Sequence, residues 1–518
     1  MVAIFNLSET RLSSCYGILE SLALRYNRLF IVGTLSELFM TSLELAIRRN
    51  SRYYAYEQCA DIILDIRRRK KVISVVFESN TKARCLSWVA VCVLVIFCAG
   101  ACVCSEQTWI RVGLTRFNGA LKSLDFSSDS GLKLIDASGE ELLASDENQS
   151  IRISTEGDVF VAKTGLQVNS ATGGFVQLVP RLSTGTVKID LPGWRMGCIY
   201  RGRIELRLKP TGMQVINVLP VEDYLLGVVP SEMPSSYPIE ALKAQAITAR
   251  TYALANLRKH RSADYDLCDT SHCQIYGGVS AETLRATQAV TATSGLVLTY
   301  NGKPASVMYT SDCGGATQNA SARQPNSHFP YLCGTIEPPD MPHSTWEINI
   351  PLQQLGKKLA AAGIKEGCNL VAISIAKTDD SGRVQEFEIG TDSGKTIVNA
   401  NKVRAAIGMN VMKSLLVTVE QREDGTVVFK GRGAGHGIGL CQVGAKWLAL
   451  PPRNWTSEQI LAHYFPGAVI EKLGTSCAEK LVTVPESSNS EATSEEYSKL
   501  NPHVPKIFDV RVSAPDGL

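Results

Sequence analysis

The chain has 518 residues, enough for two or three domains or for one large core with extensions. Its 45% apolar and 20% charged residues are ordinary for a globular protein. A net charge of +3 is too small for a nucleic-acid binder, so no nucleic-acid partner is expected, and the clearest basic run is confined to residues 67–71.

Residues 1–85 form an N-terminal extension of unassigned role, with helix-like apolar runs such as 18–32. An uncharged apolar run follows at 86–104, close to the roughly 20 residues that span a bilayer. Lys82, Arg84 and the earlier basic run precede it, so the bias of positive charge toward the cytoplasm places everything after Ser105 outside the membrane. The run fits an uncleaved membrane anchor, a signal-peptide core cut near 99–101, or a buried core helix; Cys102 also permits a lipidated cysteine, although the residues before it make a poor lipobox. Seven of the fifteen cysteines precede Ser105; the other eight are an even number in an exported region and permit disulfides, with Cys313–Cys333 a plausible pair across a short loop.

From Gln107 short strand-like runs recur, separated by Gly, Ser and Asp turns, and residues 105–210 read as a β-rich lead-in. In the run from Arg203 to Leu208, Ile204, Leu206 and Leu208 share one face. Residues 211–475 mix helices and strands. Pro238 opens a long alanine-rich helix capped by Tyr237, whose face is Ile239, Leu242, Ala246, Ala249, Ala253 and Leu257. A helix through Val290 and a strand from Leu296 lead to Asn301-Gly302, the signal of a type I′ hairpin. Helices at 352–362 and 400–407, strands at 370–376, 386–390 and 426–430, and a Thr456-capped helix ending at Tyr464 complete this part. Residues 476–518 are rich in Ser, Glu and Pro and read as a disordered tail. The predicted class is α+β: a mixed, β-rich exported domain in which the alanine-rich helix lines a substrate cleft, preceded by one transmembrane or signal segment.

Four constellations carry chemistry. Glu232 stands among apolar neighbours in a proline-bounded loop just ahead of the alanine-rich helix. Helix-end electrostatics there lower its pKa and apolar surroundings raise it; a general acid needs the second effect to win. The residues alone also fit a surface glutamate. The run His260…Cys268-Asp-Thr-Ser-His272-Cys273 holds thiols and imidazoles suited to a tetrahedral zinc, or to a Cys268–Cys273 disulfide with a solvated His272. Gln274 and Tyr276 follow directly and are placed toward the groove. Tyr309-Thr-Ser-Asp-Cys-Gly-Gly is a polar turn containing Ser311. Between 431 and 439 every second residue is glycine, which leaves one side of an extended segment bare for close approach of backbone or a flat polysaccharide, with His436 and Gln442 offering hydrogen bonds; it lacks the dinucleotide and phosphate-loop spacings.

Three blocks, 219–252, 309–318 and 431–445, resemble the stage II sporulation protein D (SpoIID) family of peptidoglycan-cleaving enzymes, and the likeness runs from about Trp109 to Ile470. The resemblance implies that Glu232 is the catalytic acid/base of a lytic transglycosylase cutting the MurNAc–GlcNAc bond of peptide-stripped strands to 1,6-anhydro products. One carboxyl suffices there, whereas ordinary glycosidases use two; Glu222 and Asp223 read as structural or surface charges. It implies a structural zinc on Cys268, His272 and Cys273, with His260 as fourth ligand, and places Ser311 near the sugar. The residues themselves offer Tyr276, His436 and Gln442 as further sugar contacts, with a structural hydrogen bond to the glycine turn as the alternative role of His436. Cys441 stands where the family usually has serine. The implied setting is extracytoplasmic, tethered to the membrane or secreted, with peptidoglycan glycan strands as substrate and an amidase or division complex as candidate partner, serving division, remodelling or sporulation-like engulfment. A rival from another class is a non-catalytic cell-wall modifier that stimulates an amidase, as related LytB-type proteins are described. A zinc hydrolase lacks an open three-ligand motif, and a cysteine nucleophile lacks a clear histidine partner beyond Cys273.

Overall fold

Period-two alternation builds the first half of the structure into sheets. The computed structural model describes residues 108–473, apart from 118–121, 157–158, 163–166, 170–173, 191–196, 211 and 323–328. The expectations for residues 1–85, for the apolar run at 86–104 and for the tail at 476–518 lie outside the described residues. No helix among the described residues is long and apolar enough to cross a membrane.

Arg203–Lys209 and Gly212–Pro220 form an antiparallel hairpin at the centre of a seven-stranded sheet. Trp109–Gly113 pairs with the second of these strands, and Leu267–Cys268 adds a parallel edge. The segments 105–210 and 211–475 therefore share one sheet. Ile204 and Leu206 are buried and Leu208 half-buried, while Glu205 on the other face and the whole of Met213–Pro220 are buried too, so this hairpin is covered on both sides. A six-stranded sheet built from Ser123–Ser127, Ile151–Glu156, Val159–Ala162, Gln167–Asn169, Thr186–Asp190 and Cys198–Arg201 completes the β-rich part.

The central strand passes without a loop into helix α1, Val221–Glu232. Helix α2, Ile239–Ala255, is the alanine-rich helix. Its buried residues fall on all sides, including Gln245, Thr248, Arg250 and Thr251, so it is an enclosed central helix, not an amphipathic one. Arg250 is the largest of its side chains. It donates to both carboxylate oxygens of Glu222 at 2.7 and 2.8 Å and to the carbonyls of Leu296 and Val290 at 3.1 and 3.3 Å. A buried guanidinium with every face occupied locks α1, α2 and the strand Leu296–Tyr300 together. Helix α3, Leu284–Ala292, packs on both, and Asn301 and Gly302 turn the following hairpin with φ of 52° and 69°, the positive values a type I′ turn needs.

A second, separate core lies between Trp346 and Phe429. It comprises two three-stranded sheets with helices α4, Leu352–Ala361, and α5, Ala400–Ile407. The chain then returns to the first core through α6, Gln442–Ala449, and α7, Ser457–Tyr464, which Thr456 and Gln459 start with a reciprocal capping box.

Candidate active site

Glu232 is the last residue of α1, not part of a loop ahead of α2. Pro230 sits inside the final helical turn, forfeiting one backbone hydrogen bond without ending the helix. Glu232 therefore meets the negative end of a helix dipole, which opposes ionisation; the reading from the residues placed it by a positive end. Burial is the main influence and raises its pKa. The Ile275 N–H, donating to Oε1 at 2.6 Å, and the Tyr309 hydroxyl pull it back without cancelling the rise. Behind them runs a chain of side chains: Tyr224 donates to Gln274 Oε1 at 3.3 Å, and Gln274 Nε2 donates to the Tyr309 oxygen at 3.2 Å. Tyr309 is thus oriented from behind toward Glu232.

Glu232 opens on a cleft of about 530 Å³. Its walls come from Pro234 and Tyr237 after α1, from Ser311 and Asp312, from Pro342 to Ser344, and from Ala434 and α6. No residue of α2 lines it, which corrects the expectation for the alanine-rich helix: its sides are used up in packing. Tyr237 and Trp447 provide aromatic faces, with the Lys446 ammonium 5.3 and 4.6 Å from their ring centres.

The cleft's other carboxylate, Asp312, is fully engaged. Oδ1 accepts from His343 Nδ1 at 2.7 Å and Gly314 N at 2.9 Å; Oδ2 accepts from Ser344 N and Oγ at 2.8 and 2.7 Å. Burial alone would raise its pKa, but these donors hold it at about 2. His343 lies between Asp312 and the buried Glu337, whose Oε2 is 3.0 Å from Nε2. Burial disfavours its charge, yet the two carboxylates raise its pKa to about 10, making it a buried imidazolium. Glu232 and Asp312 thus have opposite titration behaviour: one carboxyl keeps its proton more readily than usual and the other has lost it.

His260, Cys268, His272 and Cys273 converge beside this site, with donor atoms all within 4.8 Å of one another. His260 Nε2 is 3.2 Å from Cys273 Sγ, and His272 Nδ1 is 3.6 and 3.5 Å from the sulfurs of Cys268 and Cys273. Tetrahedral zinc with ordinary Zn–S and Zn–N lengths has S–N edges of about 3.5 Å, so the four donors fit that ion. Both cysteines are free thiols. The quartet grips the loop that supplies Gln274 and the Ile275 N–H.

The other expected contacts divide. Ser311 and Gln442 line the Glu232 cleft. Tyr276 does not: it is buried behind α1 with its hydroxyl donating to Asn217 Oδ1 at 2.9 Å. His436 borders a separate small cavity with Gln318 and Arg383, and its Nδ1 accepts from Ile438 N at 3.0 Å. The bare side of the glycine run faces protein, not solvent. A Cβ on Gly435 would strike Thr310, and one on Gly437 the Arg383 guanidinium. Cys313 is buried beside Cys441 while Cys333 is exposed, so the structure does not bring the expected Cys313–Cys333 pair together. Cys441 lies outside the cleft: its sulfur caps α6 by accepting from Gly444 N. Sequence reasoning missed Tyr309, Asp312 and His343. The first two sit inside a block it singled out; His343 has no local signal and becomes visible only through its two carboxylate partners.

Residues 209–300, which carry Glu232, Tyr224 and the His/Cys quartet, match the profile of the SpoIID stage II sporulation protein family. Residues 339–439, spanning the second core, match a domain of unknown function, DUF8618. Stage II sporulation protein D of Bacillus subtilis is 30% identical over 282 residues, covering 51% of this chain and 77% of that one. The Bacillus subtilis amidase enhancer is 32% identical over 293 residues, covering 48% of this chain and 40% of that one. An uncharacterised protein of Brachyspira hyodysenteriae is 30% identical over 260 residues, 50% of this chain and 68% of that one. With the family profile lying over the acid and its supporting loop, and a named member aligned over three quarters of its length, the chain belongs to the SpoIID family.

Proposed function

We propose that this protein is a lytic transglycosylase that cleaves the MurNAc–GlcNAc bond of peptide-stripped peptidoglycan strands. The observation that carries the reading is the asymmetry of the two cleft carboxyls: Glu232 is biased toward the protonated form, and Asp312 is a locked anion. Protonated Glu232 donates to the glycosidic oxygen as the bond to the anomeric carbon breaks. The Asp312 anion in the same cleft favours the positive charge that grows on the sugar ring. Ile275 N–H and Tyr309 steady the Glu232 carboxylate so formed, which then takes the proton from the sugar's own 6-hydroxyl as that oxygen closes on the anomeric carbon. One group gives and recovers one proton, and no water is consumed. Asp312, with every acceptor site in use, is poorly placed to activate a water or attack the sugar. The aromatic faces of Tyr237 and Trp447 suit the apolar faces of sugar rings.

The His/Cys quartet is read as a structural zinc site. Four protein ligands leave no open position, so the ion would brace the loop and take no part in the reaction. The substrate lies outside the membrane, so the protein is placed there too, anchored or secreted through the apolar run at 86–104. A second reading draws on the amidase-enhancer relative: a non-catalytic wall modifier acting with an amidase. Incubation of the purified protein with peptide-free glycan strands separates them. Anhydro ends appear if the chain is the enzyme; unchanged strands, with stimulation of an added amidase, would establish the modifier.

A further inference from the structure

Two buried cysteines outside the His/Cys quartet lie together at the root of the cleft. Cys313 and Cys441 are both 0% exposed, and their sulfurs lie within 4.8 Å of each other. The backbones are adjacent: Thr310 pairs with Cys441 in a parallel bridge, and Cys313 N donates to Cys441 Sγ at 3.2 Å. We propose that Cys313 and Cys441 form a disulfide when the protein folds under oxidising conditions.

The placement gives the bond a purpose. Cys313 directly follows the cleft residues Ser311 and Asp312, and Cys441 directly precedes Gln442 and Val443. The whole second core, from Thr345 to Arg432, is inserted between the two cysteines. A cross-link would therefore tie the chain just beyond the strand Tyr309–Thr310 to the strand Leu440–Cys441, on either side of that insertion, and hold one cleft wall in place. A loop that long is also the case in which a cross-link restricts the unfolded chain most.

A metal on the same atoms is disfavoured by the surroundings. Glu337, the third potential donor, already engages Tyr464 and His343. The His343 imidazolium is paired with that same carboxylate, and the Arg383 guanidinium donates to the Cys313 carbonyl, so a cation would meet two positive neighbours. The remaining described cysteines offer no rival pairing: Cys333 and Cys368 are exposed while Cys313 and Cys441 are buried, and Cys198 lies by Arg116.

The chemistry is thiol–disulfide exchange. The thiolate of one cysteine attacks a disulfide of the oxidant and releases one thiol; the second thiolate attacks the mixed disulfide and releases the other. Two protein thiols are oxidised and one oxidant disulfide is reduced. Both sulfurs are enclosed in the finished fold, so the bond forms during folding. An oxidising location rests on the export reading above.

The test uses the full chain in zinc-containing buffer. Reduced, denatured protein is refolded with a mixture of oxidised and reduced glutathione, trapped with an alkylating reagent under denaturing conditions, and mapped by mass spectrometry. The expected result is a peptide pair joined through Cys313 and Cys441. The thermal midpoint should then fall by several degrees when reductant is added, and the double variant C313S/C441S, which keeps a hydrogen-bonding atom at the start of α6, should lose that sensitivity. Recovery of both residues alkylated in protein that has regained its native spectrum would overturn the proposal, as would a second bound metal ion that the double variant loses. A linked pair after refolding but free thiols in protein from its native source would refute the export reading and leave the cross-link standing.

Discussion

Replacing Tyr309 with phenylalanine removes one donor to Glu232 and little else from the packing, because the ring stays. The hydroxyl favours the ionised carboxylate, so its loss makes the anion costlier and the proton harder to remove. A hydrogen bond to a charged group contributes about 1.5–3 kcal/mol. Glu232 faces an open cleft and keeps its 2.6 Å bond from Ile275, so the lower end applies. At about 1.4 kcal/mol per pH unit, the Glu232 midpoint should rise by about one unit. Carbon-detected NMR titration of glutamate-labelled protein reads this directly, with Glu232→Gln supplying the assignment. The alkaline limb of the pH–rate profile on denuded glycan should move upward by the same amount, since activity needs the protonated acid and falls as pH rises through its pKa. A midpoint that stays put or moves down would show that Tyr309 does not govern the acid.

Two more outcomes follow from the same geometry. His343 binds its proton more tightly in the fold than its ordinary pKa of 6.5, at about 10, so its contribution to stability is complete below 6.5 and is lost as pH rises through 10. Denaturant unfolding of His343→Gln should lack that decline relative to the parent, and should show a loss of about 3–5 kcal/mol at neutral pH, because Asp312 and Glu337 are left buried without a cation. At the His/Cys quartet, elemental analysis should find one zinc ion per chain, and chelation should lower the thermal midpoint by roughly 5–10 °C; His272→Ala should bind none.

Much of this architecture could be read from local patterns. The Thr456-capped helix and the strand Arg203–Lys209 each declare themselves within a few residues and form where their patterns place them. The Asn301-Gly302 turn forms too, but its returning strand is Lys303–Pro304 and not the expected 306–309, because Tyr309–Thr310 pairs instead with Leu440–Cys441. The His/Cys quartet was legible because its ligand types cluster within fourteen residues, from His260 to Cys273. What escaped was set by distant contacts. Pro230 reads as a helix breaker, yet packing of Val228 and Val229 in the core carries α1 past it to Glu232. The glycine run reads as a bare surface, but its open side is taken up by Thr310 and Arg383, residues far away in sequence. The alanine-rich helix reads as one-sided, whereas α1, α3, α6 and α7 surround it. The Asp312–His343–Glu337 array joins separate loops and has no sequence period at all.

The most direct trial of a single recycled acid is to run the digestion in heavy-oxygen water and weigh the new sugar ends. Ring closure by the substrate's own hydroxyl predicts anhydro-muramic ends carrying no heavy oxygen. Reducing ends that have gained one labelled oxygen per cut would mean that water is the attacking group, and the account of Glu232 as the sole proton carrier would be wrong.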